Sequence, residues 1–337
     1  NIHNAKKAYS PMINIVGDHA TYHLKYNAPL TSDLDTLAKS SSDWVGRSKT
    51  VEDICDLGNE AWHTANQEPG QITTLIVPAD CAWSDFKGNI PSPLKKIEPA
   101  KIDDSLVPKS IDILKKENSI LFIGAKFLTE ECIKLAGNIS SATGCRIVTD
   151  TFVSRIRRGA GLPMVEQVPY FSEIAEEFLK NTSGAIFIGS NPPVSFFAYP
   201  NKKSYLLPDE TTILNLCSPE QDGFLALQAL SDECGNSTIN KNLIQNGIIE
   251  IPKTGKLDPI SIGPLISGLM PENAIVSDEA ATSSLFVTPH TLMAKPHDWL
   301  ALTGGSIGQG LPLAVGAAIA KPDRPVITLH GDGGAMY

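Results

Sequence analysis

Short apolar segments alternate with helix-patterned stretches from one end of this chain to the other, and that alternation constrains the fold more than any other feature. Apolar runs bounded by turn residues read as buried strands, and helical patterns between them supply the crossovers that parallel strands require. In the first stretch the strand Met12–Val16 precedes helical patterns over Asp33–Lys39 and Val51–Asn66, and Gln71–Val77 is a second strand. The Pro- and Lys-containing segment Gly88–Ala100 breaks the pattern and reads as a linker. A second block has a helix over Lys109–Lys116, a strand over Ser119–Gly124, and a helix capped by Thr129 with Glu130 and Glu131 in its first turn. It continues with the strand Cys145–Thr149, the helix Tyr170–Lys180, and the strands Ala185–Ile188 and Thr212–Leu216. Ser218-Pro-Glu-Gln221 has the form of a capping box opening a helix that runs to about Cys234.

A polar run, Gly235–Asn246, separates a third block. It holds a helix over Ile260–Met270, the strands Ala274–Asp278 and Trp299–Leu302, a helix over Gly310–Ala320, and a last strand over Pro325–His330. The expectation is an α/β protein of three doubly wound parallel-sheet domains, residues 1–88, 106–235 and 257–337, joined by linkers 89–105 and 236–256. The first residues, Asn1–Ser10, read as the tail of a helix feeding a strand, and the chain stops at Tyr337 where a helix should begin. The outer two domains are therefore expected to be truncated, and the chain to be an interior fragment.

Composition bears on partners. A formal net charge of −9 with no long basic run gives no nucleic-acid footprint. No apolar stretch reaches bilayer-spanning length and no signal peptide is visible, so no membrane partner is expected and the cytoplasm is the expected location. The chain begins at Asn1 without a methionine, which leaves room for a removed leader. Cysteines at 55, 81, 132, 145, 217 and 234 form no C-x-x-C pair, and reduced, mostly buried thiols are expected.

The strongest chemical signal lies at the end of the chain: Thr303-Gly-Gly-Ser-Ile-Gly-Gln-Gly-Leu-Pro312, then Gly316-Ala-Ala318, then Gly331-Asp-Gly-Gly334. An acid flanked by glycines after a parallel strand can hold Mg²⁺ while backbone approaches a phosphate. The N–H groups that follow favour the anion. Asp-Gly is also a common turn pair, and it is the Gly-rich helix start and buried strand before it that raise this one above a turn.

This arrangement resembles the diphosphate-binding domain of thiamine-diphosphate enzymes. The likeness to acetolactate-synthase-like proteins of that family extends backward over Asn14–Ala20, Ala28–Asp33 and Leu75–Asp80, which are similar to the later part of the pyrimidine-binding domain. The middle block matches the family's central domain in its order of elements. The resemblance implies thiamine diphosphate and Mg²⁺ as cofactors, with Asp332 as a metal ligand and Gly331, Gly333, Gly334 and Ala335 at the diphosphate. It implies that Ile307, in Gly305-Ser-Ile-Gly308, is the apolar residue beneath the bent cofactor; the alternative is a core isoleucine at a helix start. Ser277–Ser283 resembles the family's segment that touches the diphosphate, through Asp278, Thr282 or backbone, although Ala281 stands where threonine is frequent. Thr282 could equally be a helix cap. His19, after the first strand, could contact substrate or carry a proton, or be a loop histidine satisfied by backbone. A metal pair with His23 lacks a third ligand.

The implied activity is decarboxylation or carboligation of a small-molecule 2-keto acid, acetolactate formation from pyruvate first and a benzoylformate-type decarboxylase second. FAD is not expected, because Ile188-Gly-Ser-Asn-Pro-Pro193 lacks the Arg and Asp of the family's flavin segment. The resemblance places the catalytic Glu upstream of Asn1 and the Asn that completes the Mg²⁺ site downstream of Tyr337, so weak cofactor binding by this chain alone is expected. It also implies a homodimer or homotetramer. A non-catalytic diphosphate-binding relative is the competing class, whereas a dinucleotide dehydrogenase lacks its G-x-G-x-x-G after a strand.

Overall fold

The computed structural model describes every residue except Asn1, Lys96, Ile248 and Lys253. The first of these opens the expected N-terminal helix and the others fall in the two expected linkers, so those points lie outside the described residues. The chain forms two compact units, Asn1–Pro99 and Ala100–Tyr337.

The first unit is a three-stranded parallel sheet of β1 (Met12–Asp18), β2 (Trp44–Arg47) and β3 (Ile72–Pro78), in the order β1-β3-β2. The central β3 is buried along nearly its whole length, as expected of a parallel strand flanked on both sides. Helix Ile54–Ala65 buries Ala61 and Ala65, and Ala61's carbonyl accepts from the Thr73 hydroxyl at 3.3 Å. The short strand β2 was not expected from sequence, since four residues holding a glycine give no clear alternation. Its Arg47 donates to Asp35 at 3.0 Å through Nε and to Asp18 at the end of β1, pinning this corner of the sheet.

The second unit holds two sheets. The central one has five parallel strands in the order β7-β5-β4-β8-β9, formed by β4 (Ile120–Ile123), β5 (Arg146–Thr149), β7 (Glu166–Gln167), β8 (Gly184–Ile188) and β9 (Thr212–Cys217). The other has the order β12-β10-β11-β6, from β6 (Ile156–Arg158), β10 (Ile275–Glu279), β11 (His297–Leu300) and β12 (Val326–His330). β10, β11 and β12 are parallel, and β6 adds antiparallel to β11. Phe122 and Phe187 are fully buried on neighbouring strands with ring centroids 5.2 Å apart, each burial contributing about 1.5–3 kcal/mol. A single apolar cluster runs from Val107 through Ile139 and Leu227 to Val276 and Trp299, uniting both sheets in one core.

Two sequence expectations need correction here. Residues 156–158 do not stay with the middle block but supply the edge strand of the last sheet. The Ser218–Gln221 segment does not open a helix. The Gln221 side chain does accept from the Ser218 N–H at 2.8 Å, but its amide is spent on the Lys101 carbonyl and the segment closes as a turn. The helix starts at Gly223, where the Asp222 carboxylate accepts from Phe224 and Leu225 N–H at 3.0 and 3.1 Å. The Thr129 cap stands as expected, accepting from Cys132 N–H, and Gly144 with φ +82 ends that helix. All six cysteines are free, and burial pushes the Cys145 and Cys217 thiols up to about 12, which makes them unreactive. Among the described residues no helix is long and apolar enough to cross a membrane.

The grafted edge strand carries a buried cation. Arg158 lies over the Trp299 ring at 4.0 Å, donates to the Thr291 hydroxyl, and donates through Nε to His297 Nε2 at 3.3 Å. The other ring nitrogen, His297 Nδ1, lies 2.8 Å from the Lys295 carbonyl, so the neutral tautomer with a proton on Nδ1 satisfies both contacts. Burial first, and then the Arg158 charge, push the imidazole down to about 4 from an ordinary 6.5. The unfolded chain therefore takes up a proton near pH 6.5 that the folded chain refuses until about pH 4. Stability from this group is full above pH 6.5 and is lost as pH falls towards 4, by at most about 3 kcal/mol. Urea titrations at pH 7 and 4.5 should show this loss, and His297→Gln, which keeps an acceptor and a donor without titrating, should reduce it.

Candidate diphosphate site

The site is built at the carboxyl end of β10 and β12. Parallel pairing sets Glu279 opposite His330, and the Gly331 N–H donates to the Glu279 carbonyl at 3.1 Å. Because side chains alternate along a strand, Ser277 and Glu279 leave β10 on the same face. Both reach the glycine-rich loop before helix Gly310–Ala320. The Glu279 carboxylate accepts from the Gly308 N–H at 2.5 Å and from the Gly310 N–H at 2.6 Å, and the Ser277 hydroxyl donates to the Gly310 carbonyl at 2.8 Å. Glu279 is buried, so these bonds offset the cost of removing a carboxylate from water. His330 packs beside it, Nε2 to Oε1 at 4.0 Å, with neither ring nitrogen hydrogen-bonded.

This packing leaves no room for side chains. A Cβ on Gly310 would stand 2.5 Å from His330 Nδ1, and one on Gly334 would stand 2.6 Å from Glu279 Oε1. On the outer side the turn is open. Asp332, Gly333 and Ala335 are exposed, and a Cβ at Gly333 would meet nothing within 4 Å. The Asp332 carboxylate accepts from the Gly333 N–H at 2.9 Å, which orients it outward from β12.

The structure thus brings Gly331, Gly334, Gly308 and Gly310 together around Glu279. Ile307 sits in the same loop at 48% exposure, which overturns the alternative of a core isoleucine and leaves its side chain presented to solvent. Gly305 adopts φ +75, as a loop without Cβ allows, and faces the Phe196 ring. Asp278 turns inward: its carboxylate accepts from the Ala280 N–H at 3.0 Å and the Ser284 hydroxyl at 2.5 Å, and burial raises its pKa. Thr282 is exposed, and the helix that follows, Ser284–Thr291, starts at Ser283 with no side-chain cap, so the capping alternative does not hold. Ala281 takes φ +48, a left-handed conformation that costs a non-glycine residue energy and that here turns the chain just after Glu279. His19 belongs to the first unit, where its N–H donates to the Asp18 carboxylate at 2.7 Å, its ring lies 5.4 Å from His23, and its Nε2 is buried with no hydrogen-bond partner.

Glu279 was missed from sequence, because the acid before it drew attention as the polar residue of the segment. Strand parity with Ser277, once β10 is extended to residue 279, would have placed it on the inward face.

A buried carboxylate that fixes two glycine turns beside an exposed acid gives this parallel α/β protein a rigid strand end with open backbone around Asp332. The model of the thiamine pyrophosphate enzyme C-terminal TPP binding domain matches residues 279–337, the segment that begins at this carboxylate. IlvX of Mycobacterium tuberculosis, whose name places it with acetolactate synthase large subunits, is 40% identical over 337 residues. That alignment takes in 100% of this chain and 64% of the relative, so the chain spans under two thirds of that relative's length. The acetolactate synthase isozyme 1 large subunit of Escherichia coli is 37% identical over 90 residues, 26% of this chain and 16% of that protein. Among solved structures, the thiamine diphosphate-dependent 4-hydroxybenzoylformate decarboxylase of Rhodococcus jostii superposes with TM-score 0.78 at 21% identity, covering 100% of this chain and 67% of that one. Benzoylformate decarboxylase from Polynucleobacter necessarius gives 0.77 at 17%, covering 100% and 66%. Over its whole length the chain is similar to an acetolactate synthase large-subunit-like protein, and its residues 279–337 match the thiamine pyrophosphate enzyme C-terminal domain.

Glu279→Gln replaces one acceptor oxygen with an amide that cannot accept from a glycine N–H, leaving a buried donor unpaired. A loss of about 1–3 kcal/mol is expected in urea unfolding. Hydrogen exchange should show faster exchange at Gly308 and Gly310, while amides of the first unit keep their rates.

Proposed function

We propose that the chain carries the metal- and diphosphate-holding part of a thiamine-diphosphate- and Mg²⁺-dependent enzyme that decarboxylates 2-keto acids and joins the product to a second carbonyl, as in acetolactate formation from pyruvate. The observation that carries this reading is the exposed Asp332 on an accessible glycine backbone, held at a strand end by the Glu279 clamp. Among the described residues no three His, Cys, Asp or Glu side chains converge on a metal position. Mg²⁺ keeps its waters and takes one or two carboxylates together with phosphate oxygens, so the single exposed Asp332 could contribute to holding it. When bound, thiamine diphosphate supplies the electron sink for breaking or making the bond beside the carbonyl.

The chain's own residues would divide the work. Asp332 would take the metal, and the backbone of Gly331, Gly333, Gly334 and Ala335 would approach the diphosphate. Ile307 would lie against the cofactor, supported by its exposure on a loop whose neighbour Gly308 is fixed. Asp278 would act through the turn it holds, and Thr282 by direct contact. His19 would face substrate in an assembly of at least two copies. Absence of flavin is supported by the segment Ile188–Pro193, which lacks the Arg and Asp of the family's flavin segment.

A benzoylformate-type decarboxylase is the second reading, favoured by the aromatic side chains that border Gly305.

Calorimetric titration of this chain with thiamine diphosphate should give weak binding that depends on Mg²⁺, and Asp332→Ala should weaken it further by at least about tenfold, the loss of one charge-assisted metal contact. Equal binding by the variant would remove Asp332 from the metal site. Carbon dioxide and acetolactate from pyruvate would support the first reading, and aldehyde from benzoylformate the second.

A further inference from the structure

The carboxyl ends of the two sheets of the second unit meet at one point, and an aromatic cluster stands there. Phe152 follows β5, Tyr170 and Phe171 follow β7, and Phe196 and Phe197 follow β8, all at carboxyl ends of parallel strands. Gly305 follows β11 at the carboxyl end of the other sheet. In open parallel sheets this is the end at which ligands bind.

The five rings form a continuous network. Phe152 meets Tyr170 at 5.8 Å and, edge-on, Phe196 at 5.7 Å. Tyr170 meets Phe171 at 5.3 Å and Phe196 at 5.3 Å, and Phe196 meets Phe197 edge-on at 4.9 Å. Tilted and edge-on pairs at these separations are the favourable arrangements of aromatic quadrupoles, so the cluster is held in shape by its own contacts. It is nevertheless open: Phe171, Phe196 and Phe197 are 47%, 45% and 54% exposed. Five rings gathered on loops with three of them half in water form an apolar patch of the kind that marks a binding surface.

Its position names the occupant. A Cβ on Gly305 would stand 3.1 Å from Phe196 Cζ, so the ring lies against the same loop that carries Ile307 and that Glu279 clamps through Gly308. We propose that this cluster is a subsite for the aryl side chain of the substrate, with Phe196 as the ring that sets specificity. The proposal rests on the 2-keto acid reading above and sharpens its substrate class. An aryl 2-keto acid such as benzoylformate has its planar ring bonded directly to the reacting carbonyl carbon, so a ring subsite beside the cofactor loop suits it. A methyl group, as in pyruvate, would leave most of these rings wet.

The test is ligand-observed NMR and affinity titration of the whole 337-residue chain with thiamine diphosphate and Mg²⁺ present, using benzoylformate and pyruvate as probes. Benzoylformate should show strong saturation transfer to its ring protons and bind at least about tenfold tighter than pyruvate. Phe196→Ala should weaken benzoylformate by about five- to tenfold and leave pyruvate unchanged, and Phe196→Tyr should retain the preference. Should the alanine variant fold poorly by circular dichroism, Phe196→Leu keeps the volume without the ring and should show the same loss. Equal binding of the two acids, or wild-type benzoylformate affinity in both ring-less variants, overturns the subsite. A chain that binds thiamine diphosphate but shows no aryl preference keeps the proposed function and loses this subsite. One that binds benzoylformate through Phe196 without binding thiamine diphosphate keeps the subsite and loses the function.

Discussion

A buried carboxylate with both oxygens engaged is the constraint on which the carboxyl-end architecture depends. Glu279 cannot leave its place, because it is buried and its charge is met by the Gly308 and Gly310 N–H groups. Nor can those glycines be exchanged freely, since the space where a Gly310 side chain would begin is filled by His330 and by Glu279 itself. The same carboxylate presses on Gly334, so one side chain fixes both the loop before helix Gly310–Ala320 and the turn after β12. Free N–H groups at the start of a helix attract anions. Here an internal anion has taken the Gly308 and Gly310 positions, while the turn around Asp332 stays open to solvent.

The second constraint is electrostatic. β6 is three residues long and would be a poor strand on its own, but each of its residues pairs with β11, and its arginines are anchored. Arg158 lies over the Trp299 ring and donates to neutral His297. On the opposite face, buried Asp298 accepts from Arg155 at 2.9 Å and from Arg324 at 2.6 Å. Arginine suits such positions because its planar fork stacks and bonds at once. This graft holds the middle of the chain to its last third, and explains why residues 100–337 form one unit where composition suggests a break at Gly235–Asn246.

The parallel α/β class and nine of the twelve strands among the described residues were legible in the sequence because buried strands announce themselves as short apolar runs. Ile120–Ile123 and Gly184–Ile188 are examples with every residue buried. What failed to show did so for local reasons. Trp44–Arg47 and Ile156–Arg158 are too short and too polar to display a period, and they are strands because neighbours impose it. Ser218–Gln221 has cap chemistry, but Asp222 offers a carboxylate to two N–H groups and outcompetes it. Asp332 and its glycines were legible because a glycine turn after a strand is a sequence motif. Glu279 was not, since its role is fixed by a loop some thirty residues on that sequence alone does not bring near.

Parallel topology finally explains why chemistry gathers where it does. Every crossover in a parallel sheet returns the chain to the same end, so the loops after β5, β7 and β8 share one edge, and those after β10, β11 and β12 share another. With a single apolar cluster joining the two sheets, the Gly305 loop and the Phe196 loop become neighbours although 108 positions separate them. Gly305 lets the ring approach the backbone closely, where a Cβ would meet the Phe196 ring at 3.1 Å and the ring would have to give way. The contact between a glycine of one sheet and an aromatic ring of the other therefore sets a rigid turn, fixed by Glu279, beside an apolar patch that includes Phe196.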